Sequence, residues 1–129
     1  MINDGRATIL LDHDRTDGRF GLVHDVIPAG RIGPPLHLHP EFDELFYVLG
    51  GELVVRLGDE VRTVQEGETA YARRGLAHTF ANPGPRDTRV LLFITPAGFE
   101  RHFAGAHVPG DEVVVVGHPL TPFAIAAAR

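Results

Sequence analysis

The sequence predicts an all-β fold, a sandwich or barrel of short strands. Three observations carry that expectation. Fifteen glycines and ten prolines break the 129 residues into short pieces. The pieces between them have strand chemistry rather than helical periodicity. Turn signals recur at near-regular spacing, with Gly50-Gly51 and Gly58-Asp59 each read as a tight hairpin.

In chain order the expected strands are Ala7–Leu11, Phe20–Ile27, Pro35–His39, Glu44–Leu49, Glu52–Leu57, Glu60–Val64, Thr69–Ala72, Ala77–Ala81 and Thr88–Thr95. Glycines and prolines break the chain between them, with the joints Gly50-Gly51 and Gly58-Asp59 after the fourth and fifth. Along Glu44–Leu49 one face reads Glu44, Phe46, Val48 and the other Leu45, Tyr47, Leu49. Both faces are largely apolar, so the strand needs cover on both sides, and a homodimer is expected. After Pro96, Gly98–Ala104 reads as a short helix with Phe99 and Phe103 packing at i, i+4. Val113–Val116 reads as a strand whose partner, within the chain or across a subunit boundary, stays open, and Ala124–Arg129 as helical or frayed.

Length and charge bound the rest. A chain of this size is expected to form a single domain, residues 1–129, with a barrel core at about 20–96. Twelve Lys and Arg against 17 Asp and Glu give a net charge of −5, and the longest basic run is Arg73-Arg74. That argues against a nucleic-acid or anionic-membrane partner. Without cysteine there is no disulfide framework, zinc-thiolate site or thiol nucleophile, so a metal would need His and carboxylate. Met1–Arg6 lacks the layout of a signal peptide and no apolar run approaches a membrane span, so a cytoplasmic protein is expected.

Of eight histidines, three sit in a suggestive pattern. His37 and His39 are two apart in a strand-like stretch and share a face, where two imidazoles can meet one cation. Glu44 opens the next strand on the face of Phe46 and Val48, where an unpaired carboxylate is costly. His78 shares a face with Phe80 and Asn82. Taken singly, each has a plain alternative: exposed loop-end histidines, a solvated carboxylate, a hydrogen-bonded core histidine. Together they are harder to dismiss, because His-x-His-x-x-x-x-Glu arises by chance only ~0.03 times in such a composition.

Glycine spacing extends the pattern, and the sequence resembles the cupin superfamily. Its first motif is similar to His37-Leu38-His39, Glu44 and Gly51, with Arg31 where a leading glycine is usual and Gly30 and Gly33 on either side. The second is similar to Gly67, Gly75, His78 and Asn82, with Arg73 in place of the usual proline. The resemblance implies a double-stranded β-helix (a jelly-roll barrel) with a short C-terminal helix or tail. It also implies one divalent transition metal (Fe, Mn, Ni, Co, Cu or Zn) held by His37, His39, Glu44 and His78.

Phe42, Phe46, Val48, Tyr71, Phe80, Leu91 and Phe93 are candidate walls of a pocket for a flat, weakly charged aromatic or polyketide-like small molecule, with plain core packing as the alternative. His24, beside Leu22 and Val26, is either a supporting proton acceptor or a structural residue. His13, His102, His107 and His118 are expected at the surface. The stretches from His37 to Leu53 and from Ile94 to Glu100 look most like the quercetin-dioxygenase-like group. That resemblance implies ring-opening of a flavonol-like or enolised aromatic substrate by O2, with Glu44 as ligand, base or both. A non-oxidative metal isomerase or polyketide cyclase, and a non-catalytic ligand-binding module, are the alternatives.

Overall fold

A computed structural model describes residues 6–105 and 113–129. Ten strands lie among them: β1 (Thr8–Leu11), β2 (Gly21–Ile27), β3 (His37–Leu38), β4 (Asp43–Gly50), β5 (Glu52–Leu57), β6 (Glu60–Gln65), β7 (Thr69–Ala72), β8 (His78–Ala81), β9 (Thr88–Thr95) and β10 (Val114–Val115). They form two antiparallel five-stranded sheets, ordered β1-β2-β9-β4-β7 and β10-β3-β8-β5-β6. A 3-10 helix, Phe99–Ala104, and a short helix α1 (Pro122–Ala127) complete the fold. This is the expected all-β double-stranded β-helix.

Alternation decides what each strand buries. On β4, Glu44, Phe46 and Val48 point inward and Tyr47 outward. Across the sandwich, Leu53, Val55, Val64 and Phe80 of the second sheet meet Val23, Phe46, Val90 and Leu92 of the first in one apolar core. Leu120 and Ile125 pack with Val54 and Ala81 and cover the outer side of the second sheet. Thr121 caps α1 by accepting from the Ala124 N–H (3.1 Å), and Pro122 opens its first turn. β10 pairs with β3 in the same chain, Val114 opposite Leu38 and Val115 opposite His37. The outer side of the first sheet shows Leu10, Tyr47 and Tyr71 to solvent. No helix among the described residues is long and apolar enough to cross a membrane.

One expected turn is different. Gly58-Asp59 is a two-residue hairpin with Leu57 opposite Glu60, but Gly50-Gly51 is not a hairpin. β4 and β5 belong to different sheets, so the chain crosses the sandwich there. Gly51 has φ 91°, and a Cβ on it would sit 3.0 Å from Thr88 Cα and 2.5 Å from Thr88 Oγ1. That hydroxyl is already engaged, donating to Glu52 O and accepting from Glu52 N–H (3.1 Å). Gly51→Ala therefore combines a disfavoured backbone with a clash and is expected to cost about 1–3 kcal/mol in urea unfolding. An unchanged midpoint would rule out this close approach.

Candidate functional site

β3 and β8 run antiparallel with His37 directly opposite His78. His39 follows β3 on the same face, and Glu44 reaches in from β4 of the facing sheet. All four are 1–2% exposed. Ring centroids lie 4.5 Å apart for His37 and His78, 5.0 Å for His37 and His39, and 5.2 Å for His39 and His78. Nitrogens of the three rings fall within 4.8 Å of one another, and Glu44 Oε1 is 3.4 Å from His78 Nε2.

Two of the imidazoles are oriented by the same local device. His37 Nδ1 lies 2.8 Å from Pro35 O, and His78 Nδ1 lies 2.9 Å from Leu76 O. A carbonyl only accepts, so each Nδ1 carries the hydrogen, and in the neutral ring Nε2 holds the lone pair. His37 Nε2, His78 Nε2 and both Glu44 oxygens are buried without a hydrogen bond. Inward lone pairs with no donor to meet them are costly, and a shared cation relieves that cost. Donors around one first-row ion are about 3–4 Å apart, and these nitrogens already lie within 4.8 Å of one another. Two neutral nitrogens with second-atom anchors and a carboxylate fit a divalent metal.

Walls surround this cluster. Phe42 stacks on His39 (4.4 Å), Phe46 meets His78 edge-on (6.4 Å), and Phe80 lies 5.8 Å from Phe46, while Val48 is fully buried on the face of Glu44 and Phe46. Four expected members are elsewhere. Leu91 and Phe93 alternate outward on β9, between the buried Val90, Leu92 and Ile94, and Phe93 stacks on Phe20 at 4.9 Å. Tyr71 stands outward on β7, 53% exposed, because the inward positions there belong to Ala70 and Ala72. His24 is opposite Leu91 on the outer side of β2, so it touches no part of the cluster.

Sequence reasoning also missed residues. Phe99, expected only to pack downward, lies 4.9 Å from His39 and 4.7 Å from Phe42. His102 stacks on Phe99 (4.9 Å, 7° between planes), and His13 lies half-buried against Glu100, so neither is a plain surface residue. His118 is exposed as expected, and His107 lies outside the described residues. The signal for Phe99 was available in its i, i+4 spacing to Phe103 after Pro96. Asn82, part of the second motif, is structural: Nδ2 donates to Ile27 O and Arg86 O (both 2.9 Å), and Oδ1 accepts from Gly84 N–H (3.1 Å). Arg73 is exposed on the turn after β7.

Charge in the cluster is coupled. Burial pushes the Glu44 carboxyl up, yet contact with His78 and the charges of His39 and His37 outweigh it and hold the group below its usual 4.5. Burial pushes His78 down, and Glu44 with the Leu76 carbonyl lifts it above 6.5. His37 falls below 6.5, chiefly through burial.

A cupin domain model matches residues 23–102. An oxidoreductase of Pestalotiopsis fici (iacF) is 41% identical over 68 residues, 52% of this chain and 33% of that protein. The tetracenomycin polyketide synthase protein TcmJ of Streptomyces glaucescens is 39% identical over 61 residues, 46% of this chain and 40% of that protein. The chain thus spans less than half the length of these curated relatives. Among solved structures, a predicted oxalate decarboxylase of Thermotoga maritima superposes with TM-score 0.65 at 23% identity, covering 70% of this chain and 78% of the other. KdgF of a Halomonas species gives TM-score 0.64 at 23% identity over 71% and 78%.

The shifted pKa values set a pH window in chelator-treated protein. A lowered Glu44 contributes stability above pH 4.5 that fades as pH falls through its folded value. A raised His78 contributes stability below pH 6.5 that fades as pH rises through its folded value, while the lowered His37 opposes folding below 6.5. The Tm difference between wild type and Glu44→Gln is therefore expected to peak at about pH 5–6 and shrink on both sides. A pH-independent difference in a thermal melt series would refute the pairing.

Proposed function

The chain belongs to the cupin family, and from that premise we propose a metal-dependent oxidoreductase that uses O2 on a flavonol-like or enolised aromatic substrate. His37, His39, Glu44 and His78 are its metal ligands. The observation that carries this reading is the set of buried, inward lone pairs on His37, His78 and Glu44, with the first two rings anchored through Nδ1. Similarity to oxidoreductase-named relatives supports the reaction class.

Three neutral imidazoles and one carboxylate leave a divalent ion with net charge near +1, which favours an anionic oxygen donor. A bound metal of this kind supplies Lewis acidity that makes a hydroxyl more acidic and, where redox-active, a path for electrons to O2. The chain's own residues do the rest. Glu44 accepts the hydroxyl proton at an oxygen that no hydrogen bond occupies. The carbonyls of Pro35 and Leu76 keep His37 and His78 in the tautomer that presents Nε2. Phe42, Phe46, Val48 and Phe80 exclude water and offer flat apolar surface. No Lys or Arg shares these inward strand positions, which disfavours a phosphorylated substrate.

A second reading is favoured by the similarity to the Streptomyces polyketide synthase protein: a non-oxidative enzyme that cyclises or isomerises a polyketide at the same centre. Oxygen consumption separates the two.

Elemental analysis of protein purified without added metal is expected to show a first-row ion near one per chain, lost in His37→Ala and His78→Ala. Glu44→Gln is expected to lower turnover of flavonols or enolic carbonyls by about a hundredfold or more, measured with an oxygen electrode. Full turnover in that variant would remove Glu44 from the chemistry.

A further inference from the structure

The four side chains of the centre are almost wholly buried, so a ligand reaches them only if something moves. Beside them the rings form a stacked group in which His39, Phe42 and Phe99 all touch one another, with His39 and Phe99 4.9 Å apart. His39 lies on Phe42 (4.4 Å, 25°), Phe42 on Phe99 (4.7 Å, 28°), and Phe99 on the half-buried His102 (4.9 Å, 7°). The stack joins two parts of the fold, because Phe99 and His102 belong to the 3-10 helix while His39 and Phe42 belong to the β3–β4 connection.

That helix is short and flanked by glycines. It is six residues long, and 3-10 hydrogen bonding is intrinsically weaker than α-helical bonding. Gly98 (φ 148°) and Gly105 (φ 83°) flank it, both in backbone regions that only glycine enters easily. Phe99 and Phe103 pack it into the main core, and its buried polar fastening is the Glu100 carboxylate. Glu100 is fully buried, with Oε1 accepting from its own Gly98 N–H (2.5 Å) and Oε2 from His13 N–H (2.9 Å) in the β1–β2 connection. His13 Nδ1 is a further 3.4 Å contact. Gly21 makes room for this group, since a Cβ there would fall 2.5 Å from Glu100 Oε1.

We propose that Phe99–Ala104 is a hinged cover over the histidine centre, latched by Glu100, and that the Phe99 ring holds the slot beside Phe42 and His39 which a planar aromatic ligand takes when the cover swings out. The identity of the ligand class rests on the function proposed above; the hinge and latch do not. A ring in this slot keeps the stack with Phe42 filled, so ligand binding and an open cover go together.

The test is amide hydrogen exchange on the full chain, with 2-naphthol as probe, in zinc-free and zinc-loaded protein. Saturating 2-naphthol is expected to speed exchange across residues 99–104 about tenfold while slowing it in β4 and β9. Protection gained across 99–104, or no change there on binding, overturns the cover; no binding of 2-naphthol overturns the aromatic ligand class and leaves the Glu100→Gln extraction rate to decide the latch. Phe99→Ala, which empties the slot, is expected to bind 2-naphthol about tenfold tighter; weaker binding would make Phe99 a supporting wall and overturn it. Glu100→Gln is expected to raise the rate at which a chelator extracts zinc about tenfold with an unchanged Kd, because the latch and not the centre is altered. An unchanged extraction rate refutes the latch. If the protein takes up no zinc, the metal reading fails, whereas the naphthol and exchange results still decide the cover.

Discussion

Four ionisable side chains sit between two apolar sheets, and the molecule is arranged around making that tolerable. The local solution appears twice: His37 and His78 each give their Nδ1 hydrogen to the carbonyl two residues earlier, at Pro35 and at Leu76. Each bond satisfies a backbone acceptor and fixes the tautomer in one step. What remains pointing inward is a set of Nε2 atoms and a carboxylate, which attract a cation, and without one Glu44 and His78 face each other at 3.4 Å. Stability and function therefore meet in the same four groups.

The sandwich supplies the convergence that no local device can. The histidines come from β3, the residue after it and β8 of one sheet, and Glu44 from β4 of the other. Their meeting depends on the chain crossing between sheets at Gly51, where Thr88 holds Glu52 from both sides. Asn82 ties the end of β8 to the end of β2 and to the turn before β9. Beside the cluster, the 3-10 helix Phe99–Ala104 brings an aromatic ring to 4.9 Å from His39.

Where the sequence misled, the cause was packing on both sides of one sheet. On β4, Glu44 marked the inward face because it is the polar exception among apolar neighbours. On β9, Val90-Leu91-Leu92-Phe93-Ile94 is apolar on both faces, so nothing in the string favoured Val90, Leu92 and Ile94 as the buried set. Leu91 and Phe93 face outward for that reason. Tyr71 misled by size: the small Ala70 and Ala72 hold the inward positions of β7, and the large ring is turned out. Gly50-Gly51 misled because a glycine pair signals a sharp change of direction, whether the chain then folds back or crosses to another sheet.

The sequence by itself determined the strands, their approximate ends, the all-β class and the polar exceptions His37, His39, Glu44 and His78, because period-two alternation and turn residues are local facts, while the grouping of those four came from the resemblance to the cupin superfamily. Tertiary structure alone decided which face of an all-apolar strand turns inward and which sheet each strand joins. It also decided that Phe99 lies over His39 and that Glu100 is buried against His13. Those outcomes depend on which surfaces find each other across the sandwich, and contacts between residues distant in the chain leave no periodic mark on either segment.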